Sequence, residues 1–268
     1  MAAAHTSVLA VDVGNTTTAF GLFAADERLA GSAELTTPAH LTADEARLMV
    51  ADALALMGAA GAEGAILSCV VPALVQPWQE ALARAVPGRT LVVGPGLRTG
   101  MRLAFDDPSE VGADRIADAV AARATYGAPV VVVDLGTTTN FEAVDVRGAF
   151  VGGIIAPGLA LGARSLSDAA ARLPKIELHA PTHVIGTNTR AAMQSGVVLG
   201  EAARIDGLLD AMLAELVASG GAGGAQDVPV VLTGHDAAQL AALLRHPTTV
   251  DETLTLRGLA LLWSTNSR

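Results

Sequence analysis

Two short stretches of this sequence set a carboxylate two residues ahead of a glycine and follow it with hydroxyls. The first is Val11-Asp12-Val13-Gly14-Asn15-Thr16-Thr17-Thr18, and the second is Val133-Asp134-Leu135-Gly136-Thr137-Thr138-Thr139. Phosphate groups need several hydrogen-bond donors close together, and a turn containing glycine lets backbone amides reach them. Threonine hydroxyls add donors with little bulk. A carboxylate beside a phosphate repels it unless a cation intervenes, so Asp12 implies Mg²⁺, held partly through water. A single turn of this kind is most often an ordinary hairpin turn. A second copy at the start of the second half makes phosphate binding the better reading.

The chain must do this chemistry almost without lysine, since Lys175 is its only one. That excludes the P-loop, which needs a Gly-Lys-Ser/Thr step, and the protein-kinase fold, which needs a strand lysine. Backbone amides, hydroxyls, arginines and metal ions are left to hold the phosphates.

The elements that carry these turns repeat. Apolar runs over residues 8–13, 17–23 and 31–37 predict three strands. Helical spacing follows at 42–57, with Thr42 as N-cap and Leu48, Ala51, Leu54 and Ala55 on one face. Strand 65–71, helix 72–85 and strand 90–93 come next, then a helix set up by Ser109 and running to about Tyr126. The order begins again at 129. Strands are expected at 129–135, 141–146 and 149–155, and helices at 158–172, 187–200 and 205–219. Strand 228–232 and helices 237–244 and 254–265 close the chain, with Gly220–Gly224 as a flexible connector. This internal duplication predicts two similar α/β lobes, residues 1–118 and 119–268, with a ligand cleft between them.

Composition narrows the function classes. With 51% hydrophobic and 16% charged residues, the 268-residue chain reads as core-rich and globular rather than disordered. A formal net charge of −10 and only 3% aromatics argue against a nucleic-acid partner. Cys69, the sole cysteine, excludes an internal disulfide framework and reads as a buried small hydrophobe. Met1–His5 lacks the features of a signal peptide, and no stretch offers about 18 uninterrupted apolar residues, so no membrane association and a cytoplasmic location are expected. The six histidines show no metal-ligand spacing and read as surface or loop residues; Trp78 and Trp263 read as core or interface residues. Asp106 and Asp107 read as a solvated turn before Pro108.

Further blocks point to one family. The segment Gly112-Ala113-Asp114-Arg115 resembles the Gly-x-Asp-Arg signature of type III pantothenate kinases. Gly152-Gly153-Ile154-Ile155-Ala156-Pro157-Gly158-Leu159, Arg172-Leu173-Pro174, Gly186-Thr187-Asn188-Thr189 and Gln194-Ser195-Gly196 resemble other blocks of that family, in the same order. The resemblance implies duplicated ribonuclease-H-like lobes of the actin, hexokinase and Hsp70 type, with ATP held across a central interdomain cleft. It implies phosphorylation of pantothenate to 4′-phosphopantothenate, the first step towards coenzyme A. By the same resemblance Asp12, Val13, Gly14, Asn15, Thr16, Thr17, Thr18 and Ala19 would surround the ATP phosphates, with Thr137 as a second phosphate contact. Asp114 would be the general base for the pantothenate hydroxyl, kept ionised by the helix dipole. Gly112, Ala113 and Arg115 would line the pantothenate pocket with Phe105, where the family often has tyrosine, and Thr189 would contact the substrate. Asp134 would help hold a monovalent cation, K⁺ or NH₄⁺, and the protein would be a homodimer.

The sequence departs from the family pattern in places. Asn140 and Glu142 stand where threonine and aspartate are common, Asp118 where asparagine is, and His235 within a turn that is usually Thr-Gly-Gly. These departures keep two alternatives in play. One is a catalytically impaired member acting as a binding or regulatory protein; the other is a kinase for another small hydroxy compound.

Overall fold

A computed structural model describes residues 7–170, 172–220 and 224–267. Met1–His5 and residues 221–223 of the glycine connector lie outside the described residues. The chain forms two compact units. One lies within Met1–Arg102, Asp106–Ala121 and Thr253–Arg268, and the other within Leu103–Phe105 and Ala122–Glu252.

The first unit opens with β1 (Val8–Val13), β2 (Thr17–Phe23) and β3 (Leu29–Thr36), then α1 (Ala43–Leu56), β4 (Gly64–Cys69), α2 (Pro72–Ala85) and β5 (Thr90–Val92). The sheet order is β3-β2-β1-β4-β5. The first three strands pair antiparallel, whereas β1–β4 and β4–β5 pair parallel through helical crossovers. Leu9, Val11, Val13, Phe20 and Leu67 on one sheet face pack with α1 and α2. Trp78 is fully buried there, its ring 5.8 Å from that of Phe20. Thr42 and Glu45 form a capping box that starts α1. Of the expected face only Leu54 is buried; the buried stripe of α1 is Ala46, Val50, Ala53 and Leu54, and Leu48, Ala51 and Ala55 are exposed. Cys69 is half-buried and donates to the Val71 carbonyl at 3.3 Å. The helix expected from Ser109 starts later. Asp107 caps a short 3₁₀ turn at Pro108–Glu110, and α3 (Ala113–Tyr126) begins after Gly112.

The second unit repeats the plan with β6 (Val130–Leu135), β7 (Thr138–Val144), β8 (Phe150–Pro157), β9 (Val230–Thr233) and β10 (Thr249–Val250). Its order, β10-β9-β6-β7-β8, and its pairing senses match those of the first sheet element for element. Asp12 sits in register between Ala19 and Ser68; Asp134 sits in register between Asn140 and Thr233. The duplicated sequence is therefore a duplicated topology. α4 (Leu159–Ala169) follows β8. The two helices expected at 187–200 and 205–219 are one continuous rod. It runs as α5 (Thr189–Gln194), a π turn (Ser195–Leu199) and α6 (Gly200–Ala218). The rod does not break at 201–204 because Glu201, Ala202 and Ile205 are buried there. Ile205, Leu209 and Leu213 then cover Val131, Val133 and Phe141 of the sheet.

After the short α7 (Ala237–Ala241), α8 (Leu254–Asn266) returns to the first unit. The units thus do not divide simply at the expected 118/119, since α8 from the far end of the chain packs on the first sheet. Glycines seat α8. A Cβ on Gly64 would lie 2.4 Å from the Trp263 ring, and one on Gly21 would lie 3.2 Å from Leu256. Gly258 of α8 meets the backbone of α3, where its missing Cβ would lie 2.0 Å from the Ala117 carbonyl oxygen.

Candidate active site

The first turn joins β1 to β2. The Gly14 N–H donates to the Thr17 carbonyl at 2.9 Å, and the Thr37 N–H donates to the Thr16 carbonyl at 2.9 Å. The hairpin is thereby tied to the end of β3. Asn15, Thr16 and Thr17 project into solvent. The other expected phosphate residues do not all do so. Val13 is in the core, and Thr18 is fully buried with its hydroxyl 2.8 Å from that of Thr37. At these two positions only the backbone can serve a ligand.

Asp12 is half-buried on the last part of β1. Its register neighbour Ser68 is fully buried, and the Ser68 hydroxyl has no hydrogen-bond partner. A carboxylate beside a spare hydroxyl suits a hydrated hard cation. Among the described residues no group of three acidic, histidine or cysteine side chains could hold a metal unaided. A cation here would complete its shell with water and phosphate oxygens, as Mg²⁺ does.

The second turn, between β6 and β7, is one residue shorter: Leu135 pairs with Thr139, whereas Val13 pairs with Thr18. Thr137 is exposed at its tip, and the Gly136 N–H donates to the Thr138 carbonyl at 3.1 Å. Two glycines from neighbouring segments press against it. The Gly158 N–H donates to the Thr137 carbonyl at 3.1 Å, and a Cβ on Gly158 would lie 2.3 Å from the Gly136 oxygen. Gly234 has φ +90°, and its Cβ would lie 2.6 Å from both Asp134 Oδ1 and the Leu135 oxygen. Asp134 is therefore approached by bare backbone. Carboxylate and carbonyl oxygens so close together are the donor set that a K⁺-like cation takes.

Gly112, Ala113, Asp114 and Arg115 come together at the start of α3. The Arg115 N–H donates to Asp114 Oδ1 at 2.8 Å, and a Cβ on Gly112 would lie 2.5 Å from that same oxygen. Burial pushes the Asp114 carboxyl up from its ordinary range, against the opposing pull of the Arg115 N–H and charge. The helix dipole alone would do the reverse, so desolvation decides the direction. Phe105 belongs to the other unit, where its ring stands edge-on to Phe150 at 4.9 Å. Thr189 is exposed at the first position of α5, whose N-cap Asn188 accepts the Ala191 N–H at 3.0 Å. A Cβ on Gly186 would lie 2.2 Å from the Ala192 nitrogen, which explains the glycine before Thr187.

The departing residues are accommodated. Glu142 is fully buried opposite Gly153, which leaves it room. Asn140 is buried beside Asp134 in the register, and its Oδ1 has no hydrogen-bond partner. Asp118 is buried in α3. His235 is exposed, and among the described residues only Glu27 combines a positive φ with a side chain, so histidine fits the turn without strain.

A polar group missed in the sequence lies behind the second turn. Thr139 Oγ1 donates to Glu201 at 2.6 Å, and Arg204 donates to Glu201 and to the Pro157 carbonyl. Asp236 is nearby: burial pushes its carboxyl up, the His235 charge lowers it, and Glu201 raises it. Glu201 and Arg204 stand three apart, a pairing that marks one helix face. The expected break between helices at 200 and 205 hid it.

Comparison with known proteins agrees with this architecture. The family model for type III pantothenate kinase matches residues 8–211. The type III pantothenate kinase of Moorella thermoacetica is 38% identical over 262 residues, covering 97% of this chain and 100% of its own. That of Nocardioides sp. is 41% identical over 264 residues, with 97% and 99% covered. Among solved structures, MreB 5 of Spiroplasma citri bound to AMPPNP covers 97% of each chain at TM-score 0.57 and 9% identity. A ROK family glucokinase from Streptomyces griseus, in complex with glucose and AMPPNP, covers 96% of this chain and 98% of its own at TM-score 0.51 and 13% identity. At such identities the likeness is one of fold, the duplicated actin-like ATPase fold.

Proposed function

Because the chain belongs to the type III pantothenate kinase family, we propose that it transfers the γ-phosphoryl group of ATP to the primary hydroxyl of pantothenate. The observation that carries this reading is the start of α3, where Gly112 leaves room for a partly desolvated carboxylate beside Arg115. The pantothenate hydroxyl attacks the γ-phosphorus, the bond from phosphorus to the β-bridging oxygen breaks, and ADP leaves. Asp114 orients the hydroxyl and accepts its proton late in the step. A carboxyl whose proton affinity is raised suits that task better than an ordinary aspartate. Backbone amides of Asn15–Thr17 and the Thr137 hydroxyl hold the phosphates, while Val13, Gly14, Thr18 and Ala19 build the hairpin that presents them. Such transfer is largely a matter of positioning and charge neutralisation.

Asp12, with Ser68, would hold Mg²⁺, and Asp134 would hold K⁺ or NH₄⁺. The bound cations supply charge neutralisation at the phosphates. Gly112, Ala113, Arg115, Phe105 and Thr189 contact pantothenate. The protein acts in the cytoplasm as a homodimer. Exposed apolar side chains on the second unit, Ile155 at 65%, Val184 at 73% and Ile185 at 85%, favour burial against a second copy. No helix among the described residues is long and apolar enough to cross a membrane. The test is formation of 4′-phosphopantothenate by purified protein with ATP, Mg²⁺ and K⁺, beside a panel of other small alcohols. Turnover of another alcohol with pantothenate inert would reassign the substrate. Binding of both ligands without turnover would make the chain a regulator.

A further inference from the structure

The second turn is gripped from behind by an ion pair that the reaction chemistry does not require. Thr139 closes the turn through its pairing with Leu135, is 1% exposed, and donates its hydroxyl to Glu201 at 2.6 Å. Glu201 is itself 6% exposed on the first turn of α6. Arg204, one turn further along, donates both to Glu201 and, at 2.5 Å, to the carbonyl of Pro157. Pro157 is the last residue of β8, paired with Thr138, and the next residue, Gly158, donates to the Thr137 carbonyl at 3.1 Å. One buried carboxylate and one guanidinium thus hold β7, which leaves the turn, and the end of β8, whose next residue bonds to the turn.

We propose that Glu201 and Arg204 are positioning residues that fix the second turn, and with it Thr137, in the geometry that receives nucleotide phosphate. The inference rests on the reading that Thr137 contacts phosphate. An ion pair with a buried carboxylate and a half-buried guanidinium is a modest source of stability at best, since desolvation opposes its Coulombic gain. Its two ends here bond to β7 and to the end of β8 beside the turn, an arrangement that preorganises a binding loop. A turn that binds through backbone amides and one hydroxyl depends on orientation more than a flexible lysine would. Loosening the grip should weaken ATP and leave pantothenate alone.

Steady-state kinetics of the full chain test this with conservative variants. Thr139→Val removes only the hydroxyl, Glu201→Gln removes the charge, and Arg204→Ala removes the donor to Pro157. Each should raise KM for ATP by roughly ten-fold, while KM for pantothenate stays within about two-fold. Arg204→Lys should recover part of the loss. Thr137→Ala separates the two layers. If it leaves KM for ATP unchanged, the phosphate role of the turn is wrong. If it raises KM for ATP but the Thr139, Glu201 and Arg204 variants do not, the positioning proposal alone fails. A parallel rise in both KM values, or loss of thermal stability without a change in either, would assign the pair a purely structural role and overturn it. Should Arg204→Ala not fold, Thr139→Val and Glu201→Gln give the same decision.

Discussion

Replacing Gly258 with alanine should damage catalysis from a position that offers no chemistry of its own. The added Cβ would lie 2.0 Å from the Ala117 carbonyl oxygen, 2.5 Å from its carbon and 2.9 Å from its Cα. All three atoms are helix backbone, so no side-chain rotation relieves the contact. Real Cβ atoms essentially never come closer than 3.0 Å to such neighbours, so α3 and α8 must part by about 1 Å. α8 is pinned to the sheet by Trp263 over Gly64 and Leu256 over Gly21, and α3 is therefore the element that gives. Asp114 stands one turn before Ala117 and moves with it. A misplacement of that size costs roughly 10²-fold in turnover, and overpacking costs about 1–3 kcal/mol of stability. Pantothenate phosphorylation should fall accordingly, with nucleotide binding by calorimetry little changed, because the phosphate turns are not on α3. Gly207→Ala is the control. Nothing lies within 4 Å of its added Cβ on α6, and the substitution should stabilise the helix by up to about 1 kcal/mol with activity intact. Turnover by Gly258→Ala within two-fold of the parent would refute the claim that this crossing positions the carboxylate.

Four further outcomes follow from the same geometry. Because burial raises the Asp114 carboxyl, the acid limb of the pH profile of kcat should lie above the ordinary aspartate value of 3.8, activity being lost as pH falls through the raised pKa. Ionisation of that carboxyl opposes folding above its folded-state pKa, so Asp114→Asn should lose about 10²–10⁴-fold in kcat while its thermal midpoint at pH 8 holds or rises. Gly234→Ala meets both a positive φ and Asp134 Oδ1 at 2.6 Å, and should raise the K⁺ concentration needed for half-maximal rate several-fold more than it raises KM for pantothenate. Asp145 accepts the Arg147 and Ala149 N–H groups at 2.9 Å each, and these bonds with the Arg147 charge overcome burial to hold its carboxyl low. Its contribution is present above the ordinary aspartate pKa and lost as pH falls through the lowered one, so Asp145→Ala should cost about 1–2 kcal/mol at pH 7 and progressively less in acid unfolding.

The sequence was most legible where chemistry and local periodicity coincide. The repeated Asp-x-Gly turns located both β-hairpins and the duplicated topology, since a carboxylate, a glycine and hydroxyls are needed at fixed offsets from a strand end. Thr42 was readable as a cap because capping is a local bond. The buried face of α1 was not, since Leu48 and Leu54 are equally apolar and only the sheet beneath decides which is covered. The continuous rod from α5 to α6 was hidden for a related reason. The expected helices stop at 200 and resume at 205, yet a π turn leads directly into α6, and a buried charge partner at Glu201 is visible only once β7 and β8 are in place. The closing helix was recognised as a helix but not as part of the first unit, because its seats, Gly21, Gly64 and Ala117, are far away in sequence. Long-range contacts of this kind leave almost no local pattern.

The two hairpins share a topology but are held in unlike ways, and the scarcity of lysine gives the difference meaning. A lysine ammonium on a flexible stem finds a phosphate from many positions, whereas a backbone amide donates along one direction. A chain that relies on amides must fix its turns before the ligand arrives. The first turn is fixed by its own strands, through Gly14, Thr37 and the buried Thr18 hydroxyl. The second, one residue shorter, is fixed by its surroundings: Gly158 on one side, Gly234 on the other, and the Glu201–Arg204 pair behind. Each of those glycines stands where a methyl group would strike the turn or its carboxylate, so the tolerance to substitution should be lower around Asp134 than around Asp12. The physical cost of phosphate recognition without lysine is thus distributed over residues that never touch the phosphate.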